Sequence, residues 1–176
     1  MLTRPTLLLL TDLWGKSKPI GYSGFVERLS NHFEVTILDS QELAGITRVD
    51  SEKELHQQFV EGGIDRAVQR LLSQNDSPTV LLGLSIGGSI GWKVLLSGFS
   101  ARKLYAVSAT RLRYETETPS CPVQLYYGQN DPYRPSSEWV EAYAPNTEII
   151  PGLGHDMYTR PEVMDRVCSQ ILVEFS

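Results

Sequence analysis

The stretch Val80-Leu81-Leu82-Gly83-Leu84-Ser85-Ile86-Gly87-Gly88 constrains this chain more than any other. A continuous apolar run ends in Gly-x-Ser-x-Gly, and a helix-compatible stretch follows to about Leu96. Such a run suits a strand covered on both faces, so Ser85 stands at a sharp passage from buried strand to helix. The passage strains the serine backbone and pushes its hydroxyl outward. Glycines at 83 and 87 keep side chains from colliding in so tight a turn. A serine hydroxyl is a poor nucleophile until a base takes its proton, and projection from a turn lets base and substrate both reach it. The same turn aims the Ile86 amide and the helix N-terminus at the point where an oxyanion would form. The plain alternative, a turn serine with no chemistry, is disfavoured by the strand before it and the helix after it.

The rest of the chain alternates between strand and helix signals. Apolar runs predict strands over Thr6–Thr11, Phe33–Leu38, Thr79–Leu84, Lys103–Ser108, Pro122–Tyr127 and Thr147–Ile150. Gly21–Gly24 leads into a short helix through Phe25, Val26 and Leu29, and Asp39–Asp50 reads as a polar connection. A helical pattern runs from about Glu52 to Ser73, with Leu55, Phe59, Ile64, Ala67, Val68, Leu71 and Leu72 roughly on one face. Gly62-Gly63 interrupts it, which implies a kink or two helices. Ser137–Tyr143 predicts a short helix, and Pro161 suits the first turn of a last one with Val163, Val167, Ile171 and Leu172 inward. Repeated strand–helix units imply one α/β domain over 1–176: a three-layer arrangement with a six-stranded, mainly parallel sheet and helices on both faces. In such sheets ligands sit beyond the carboxyl ends of the strands.

Composition narrows the function classes. With 41% hydrophobic and 21% charged residues the chain reads as an ordinary globular protein, and its net charge of −5 speaks against nucleic acid or an anionic membrane as partner. The Leu7–Leu10 run is too short to span a membrane and lacks a cleavage pattern after it. Cys121 and Cys168 have no metal-ligand spacing and suggest two reduced thiols in a cytoplasmic protein. Gly83–Ser89 lacks a P-loop lysine, no Gly-x-Gly-x-x-Gly follows a strand, and no zinc-type His/Cys spacing occurs. No cofactor and no metal is therefore expected. The oligomeric state is left open.

Two further groups follow strand ends. Asp131 lies in Tyr127-Gly128-Gln129-Asn130-Asp131-Pro132, and His155 in Gly152-Leu153-Gly154-His155-Asp156. With Ser85 they stand in the order Ser, Asp, His. On GLSIGG, YGQNDP and GLGHDMY the chain resembles the α/β-hydrolase family over nearly its whole length. The resemblance implies Ser85 as nucleophile, His155 as general base and then acid, and Asp131 as the group that orients His155. It also implies an oxyanion hole made by Ile86 N–H and by an amide of the loop Asp12-Leu13-Trp14-Gly15. Many family members carry His-Gly-x-Gly there, which would place Trp14 at the donor position. This chain has Asp-Leu in place of His-Gly, so the donor is Leu13 or Trp14. An ionised Asp12 facing an oxyanion would oppose catalysis, so its carboxylate is expected to point elsewhere.

Only Ala109–Cys121 separates the fourth and fifth strands, where family members often insert a lid, so a lidless and open site is expected. Trp14, Tyr22, Tyr114, Tyr133, Met157 and Tyr158 lie in loops at the predicted catalytic end and suggest an apolar substrate wall, or simply a cover for the sheet end. Arg111, Arg113 and Arg134 lie there too and offer carboxylate binding or plain solvation. Glu115 and Glu117 are fallback candidates for the acid. His32 and His56 read as solvated, and Asp156 as pointing away from His155. The expected activity is hydrolysis of a small carboxylic ester or thioester. The rivals are acyl transfer to an alcohol and a binding protein that retains the scaffold.

Overall fold

The computed structural model describes residues 4–74 and 76–175. The apolar runs become β1 (Thr6–Leu10), β2 (Glu34–Leu38), β3 (Val80–Leu84), β4 (Lys103–Val107), β5 (Val123–Gly128) and β6 (Thr147–Ile150). They form one sheet in the order β2-β1-β3-β4-β5-β6, and every neighbouring pair is parallel. Alternation along β1 sends Leu7 and Leu9 to one face and Leu8 and Leu10 to the other. On the first face α1 (Ser23–Leu29) and α7 (Pro161–Phe175) bury Phe25, Leu29, Val163, Val167 and Ile171. On the second, α2 (Ser40–Ala44), α3 (Glu52–Gln58), α4 (Ile64–Ser73), α5 (Ile86–Leu96) and α6 (Ser137–Tyr143) bury Leu43, Leu55, Val68, Ile90 and Trp139.

The strand order locates the working end. From β1 the chain steps outward to β2, then crosses back to β3 on the other side of β1 and continues to β6. The loops after β1 and β3 therefore part at the carboxyl edge of the sheet and leave a crevice between them.

One element departs from expectation, and one follows it. Asp39–Asp50 is not all connection, because Ser40–Ala44 forms α2. Asp39 caps it, accepting from the Gln41 and Glu42 amides, and Gly45 ends it at φ 61°. The long pattern over Glu52–Ser73 divides into α3 and α4 across a wide turn, Phe59–Gly63, where Gly62 takes φ 107°. The segment between β4 and β5 is held down rather than free. Trp92 Nε1 donates to the Glu117 carbonyl (3.2 Å) and Trp139 Nε1 to the Glu115 carbonyl (2.8 Å), with the two indoles 5.6 Å apart. Cys121 and Cys168 are unpaired thiols. Among the described residues no helix is long and apolar enough to cross a membrane.

Candidate active site

Ser85 sits between the last residue of β3 and the first of α5 with φ 53° and ψ −119°, a conformation a non-glycine residue holds only at a cost of about 1–3 kcal/mol. The turn is fixed by its backbone: Ser85 N–H donates to the Val107 carbonyl (2.9 Å), and Gly88 N–H to the Ser85 carbonyl (3.0 Å). A β-carbon at Gly87 would overlap the carbonyl oxygens of Leu10 and Thr11. Backbone oxygens cannot swing aside, so Gly87→Ala is expected to lower stability by about 3 kcal/mol, the upper part of overpacking costs. A urea midpoint equal to that of the parent would contradict this close approach.

The loops after β5 and β6 are sewn together, and this brings Asp131 under His155. Gly128 packs against the Leu153 and Gly154 carbonyls with no room for a side chain. Gln129 N–H and Asn130 N–H donate to the Ile150 and Leu153 carbonyls, and Gln129 Oε1 accepts from Gly152 N–H at 3.0 Å. Asp131 Oδ1 accepts from the Tyr133 amide (2.8 Å), and Oδ2 lies 2.9 Å from His155 Nδ1. On the other side of the ring, Nε2 lies 3.0 Å from Ser85 Oγ. The Asp131 side chain is fully shielded, whereas 21% of the imidazole surface stays open. Tyr133 and Tyr158 meet the ring edge-on, at 5.0 and 6.1 Å between centroids. Glu115 pairs with Lys93 (3.1 Å), and Asp156 is exposed.

The β1 loop is equally constrained, by a buried polar network. Thr11 Oγ1 accepts from Ser40 N–H, Ser40 Oγ donates to the Thr11 carbonyl, and Gln41 Nε2 donates to the Leu13 carbonyl (2.7 Å). Asp12 spends its carboxylate on its own loop and on the loop after β6. Its Oδ1 accepts from Trp14 N–H (3.0 Å) and its Oδ2 from the Tyr158 hydroxyl (3.0 Å). Burial holds the Asp12 carboxyl above its ordinary range, a shift these two hydrogen bonds oppose. Both ends of the Leu13–Trp14 peptide are thereby tied. Trp14 is therefore corrected as an oxyanion donor, because its amide is engaged by Asp12. Leu13 remains the candidate beside Ile86, whose amide opens α5 and has no intrahelical partner.

A cleft of about 430 Å³ opens at His155. Leu13, Thr110 and Tyr133 line it, and α3 supplies its remaining wall through Glu52, Lys53 and His56. The aromatic wall expected from the sequence is largely corrected. Of the six residues only Tyr133 lines this cleft. Trp14 lies under the Lys18 ammonium (3.3 Å), and the Tyr22 hydroxyl reaches back to the Lys16 carbonyl. Tyr114 is exposed between the guanidiniums of Arg111 and Arg113, and Met157 and Tyr158 are buried in the core. These side chains cover the sheet end. His56 is also corrected: it is half-buried at the cleft, where burial, with Arg111 and Arg113, holds its imidazole below the usual value and Glu52 opposes. His32 is exposed. Arg134 donates to the Gln129 carbonyl and stands outside the cleft.

A scan against protein-family models gave no match, and neither did a search of curated proteins. Solved structures do match. A Xanthomonas campestris protein placed in the alpha/beta superfamily of hydrolases superposes with a TM-score of 0.71 at 19% identity, covering 97% of this chain and 99% of its own. Alpha/beta hydrolase domain-containing protein 10 from mouse gives 0.67 at 15% identity, over 99% and 92% of the two chains. An alpha-beta serine hydrolase homologue from Coxiella burnetii gives 0.62 at 16% identity, over 97% and 87%. The chain has the α/β-hydrolase fold.

Proposed function

We propose that this chain is a serine hydrolase that cleaves small carboxylic esters or thioesters through an acyl-enzyme. The observation that carries the reading is the unbroken hydrogen-bond chain from Ser85 Oγ through His155 to Asp131, at 3.0 and 2.9 Å, on a strained strand-to-helix turn. Backbone strain at a single serine persists only where its surroundings over-determine it. In this reading Ser85 Oγ attacks the substrate carbonyl carbon and its proton passes to His155 Nε2. The carbonyl electron pair moves to oxygen, where the Ile86 and Leu13 amides stabilise it. Collapse expels the alkoxide or thiolate, which takes the proton from His155, and a water deprotonated by the same nitrogen then releases the acid. Asp131 keeps the Nδ1–H tautomer and stabilises the imidazolium.

A labelled fluorophosphonate tests the reading directly, because only an activated serine reacts with it. Labelling of the folded protein, lost on prior treatment with a serine-directed inhibitor, is the expected result. An unlabelled protein that also leaves activated esters intact would overturn it.

Substrate size follows from the lining. Leu13 and Tyr133 are the apolar members of a cleft whose other walls are polar, so a long acyl tail finds little surface to bury. Each fully buried methylene is worth about 0.8 kcal/mol, or roughly fourfold in affinity. In a series of p-nitrophenyl esters, kcat/KM is expected to stop rising by about six acyl carbons. A rise that continues through twelve would mean a deeper groove than this cleft.

A further inference from the structure

We propose, resting on the serine-hydrolase reading above, that the cleft selects esters carrying a second, anionic group, a carboxylate, held by Lys53 and Arg111. The chain as a whole is acidic, with a net charge of −5, yet cations gather at this mouth. Lys53 lines the cleft on α3, and Arg111 follows Thr110, which lines it from the β4 side. Neither the Lys53 ammonium nor the Arg111 guanidinium has a hydrogen-bond or ion-pair partner among the described residues, whereas Lys93, Lys103, Arg28, Arg160 and Arg166 are each paired with a carboxylate. The Arg111 guanidinium lies 4.8 Å over the Tyr114 ring, which holds its plane while leaving its N–H fork unspent. Arg113 reinforces the field. Its hydrogen bonds go to the Thr110 and Tyr133 carbonyls and the Tyr114 hydroxyl, all neutral, so its charge is not cancelled. Both arginines act on His56 within the cleft, disfavouring its protonation. One carboxylate, Glu52, lines the same cleft. It sits in the first turn of α3, where a negative side chain is favoured in its own right. Asp12 and Asp131 lie buried beneath, each hydrogen-bonded. Glu52, Asp12 and Asp131 equal these three cations in number, but the Lys53 ammonium and the Arg111 guanidinium keep their donors unspent, and a fork of guanidinium N–H groups matches a carboxylate.

Two matched pairs of esters test this. On the acyl side, p-nitrophenyl hexanoate is compared with mono-p-nitrophenyl adipate, in which a carboxylate replaces the terminal methyl. On the alcohol side, phenyl acetate is compared with 4-acetoxybenzoate, each corrected for its own rate with hydroxide. In low salt, kcat/KM for the charged member is expected to exceed the neutral one by about tenfold in at least one pair, the size of one charge-assisted hydrogen bond. The ratio should fall toward one in the folded Lys53→Met/Arg111→Met double variant, and shrink in high salt as charge is screened. A ratio at or below one in both pairs, or a preference that survives the double variant, overturns the proposal. If neutral esters are still cleaved and Ser85 still takes the fluorophosphonate, that failure leaves the hydrolase reading standing. If no ester is cleaved and no label is taken up, both fall.

Discussion

Replacing Ser85 with alanine is expected to reduce ester turnover by roughly six orders of magnitude and abolish fluorophosphonate labelling, with the fold retained. The size follows from the proposed mechanism, in which the three groups act as a unit. Without Oγ there is no atom to form the acyl-enzyme, and the His155–Asp131 pair has nothing to activate. What remains is positioning of substrate near the Ile86 and Leu13 amides. The fold should survive because Ser85 is a turn residue whose side chain makes one hydrogen bond, to His155, and alanine keeps the β-carbon. The left-handed strain at φ 53° stays with it, so the denaturation midpoint should move little. The check is a burst and steady-state assay on p-nitrophenyl acetate beside a urea titration. A folded Ser85→Ala protein that turns over esters at the parent rate would place the nucleophile elsewhere.

The backbone of this site was legible in the sequence for a physical reason. A buried parallel strand needs an unbroken apolar run, and the turn after β3 needs glycine where a side chain would strike the backbone of its neighbours. The strand and Gly83 answer to their sequence neighbours, so Val80–Leu84 and Gly83 declare them directly, whereas Gly87 is required by the Leu10 and Thr11 carbonyls at the end of the adjacent strand. The order of Ser85, Asp131 and His155 was legible because each follows a strand end, and a parallel sheet gathers strand ends at one edge.

What was hidden depends on contacts between distant segments. Ser40 and Gln41 look like polar loop residues, yet they are buried, because Thr11 and Leu13 supply their hydrogen-bond partners across the sheet edge. The spacing of Asp39 and Glu42 was the available sign of a helix start there. Periodicity along Glu52–Ser73 identified the buried stripe through Leu55 and Phe59 but could not say what its flank faces. That flank, with Lys53 and His56, meets the cleft because the turn at Phe59–Gly63 sets the direction of α3. The open site expected from the short β4–β5 connection therefore gains one wall, from the β2–β3 connection instead. The choice between a substrate wall and a sheet-end cover was hidden for the same reason. Met157 and Tyr158 sit in a loop by sequence, but the loop folds inward, and Tyr158 spends its hydroxyl on Asp12.

Asp131→Asn is expected to lower turnover by about four orders of magnitude, or about 5.5 kcal/mol of transition-state stabilisation, with little change in stability. The asparagine can keep one of the two bonds that Asp131 makes. Its amide oxygen can still accept from Tyr133 N–H, where Oδ1 now does at 2.8 Å. The amide nitrogen then stands where Oδ2 accepts from His155 Nδ1 at 2.9 Å. Two N–H donors cannot face each other, so the imidazole takes the tautomer with its proton on Nε2. That proton points at Ser85 Oγ, and Nε2 can no longer receive the serine proton. His155→Ala removes the base outright and should approach the loss seen for Ser85→Ala. Glu115→Gln supplies the contrast, since that carboxylate pairs with Lys93 and should leave turnover within a few-fold of the parent. The measurement is kcat on one activated ester for all three variants, with labelling rates alongside. A nearly unchanged Asp131→Asn beside an inactive Glu115→Gln would move the orienting carboxylate to the β4 loop and dissolve the reading of the 2.9 Å contact.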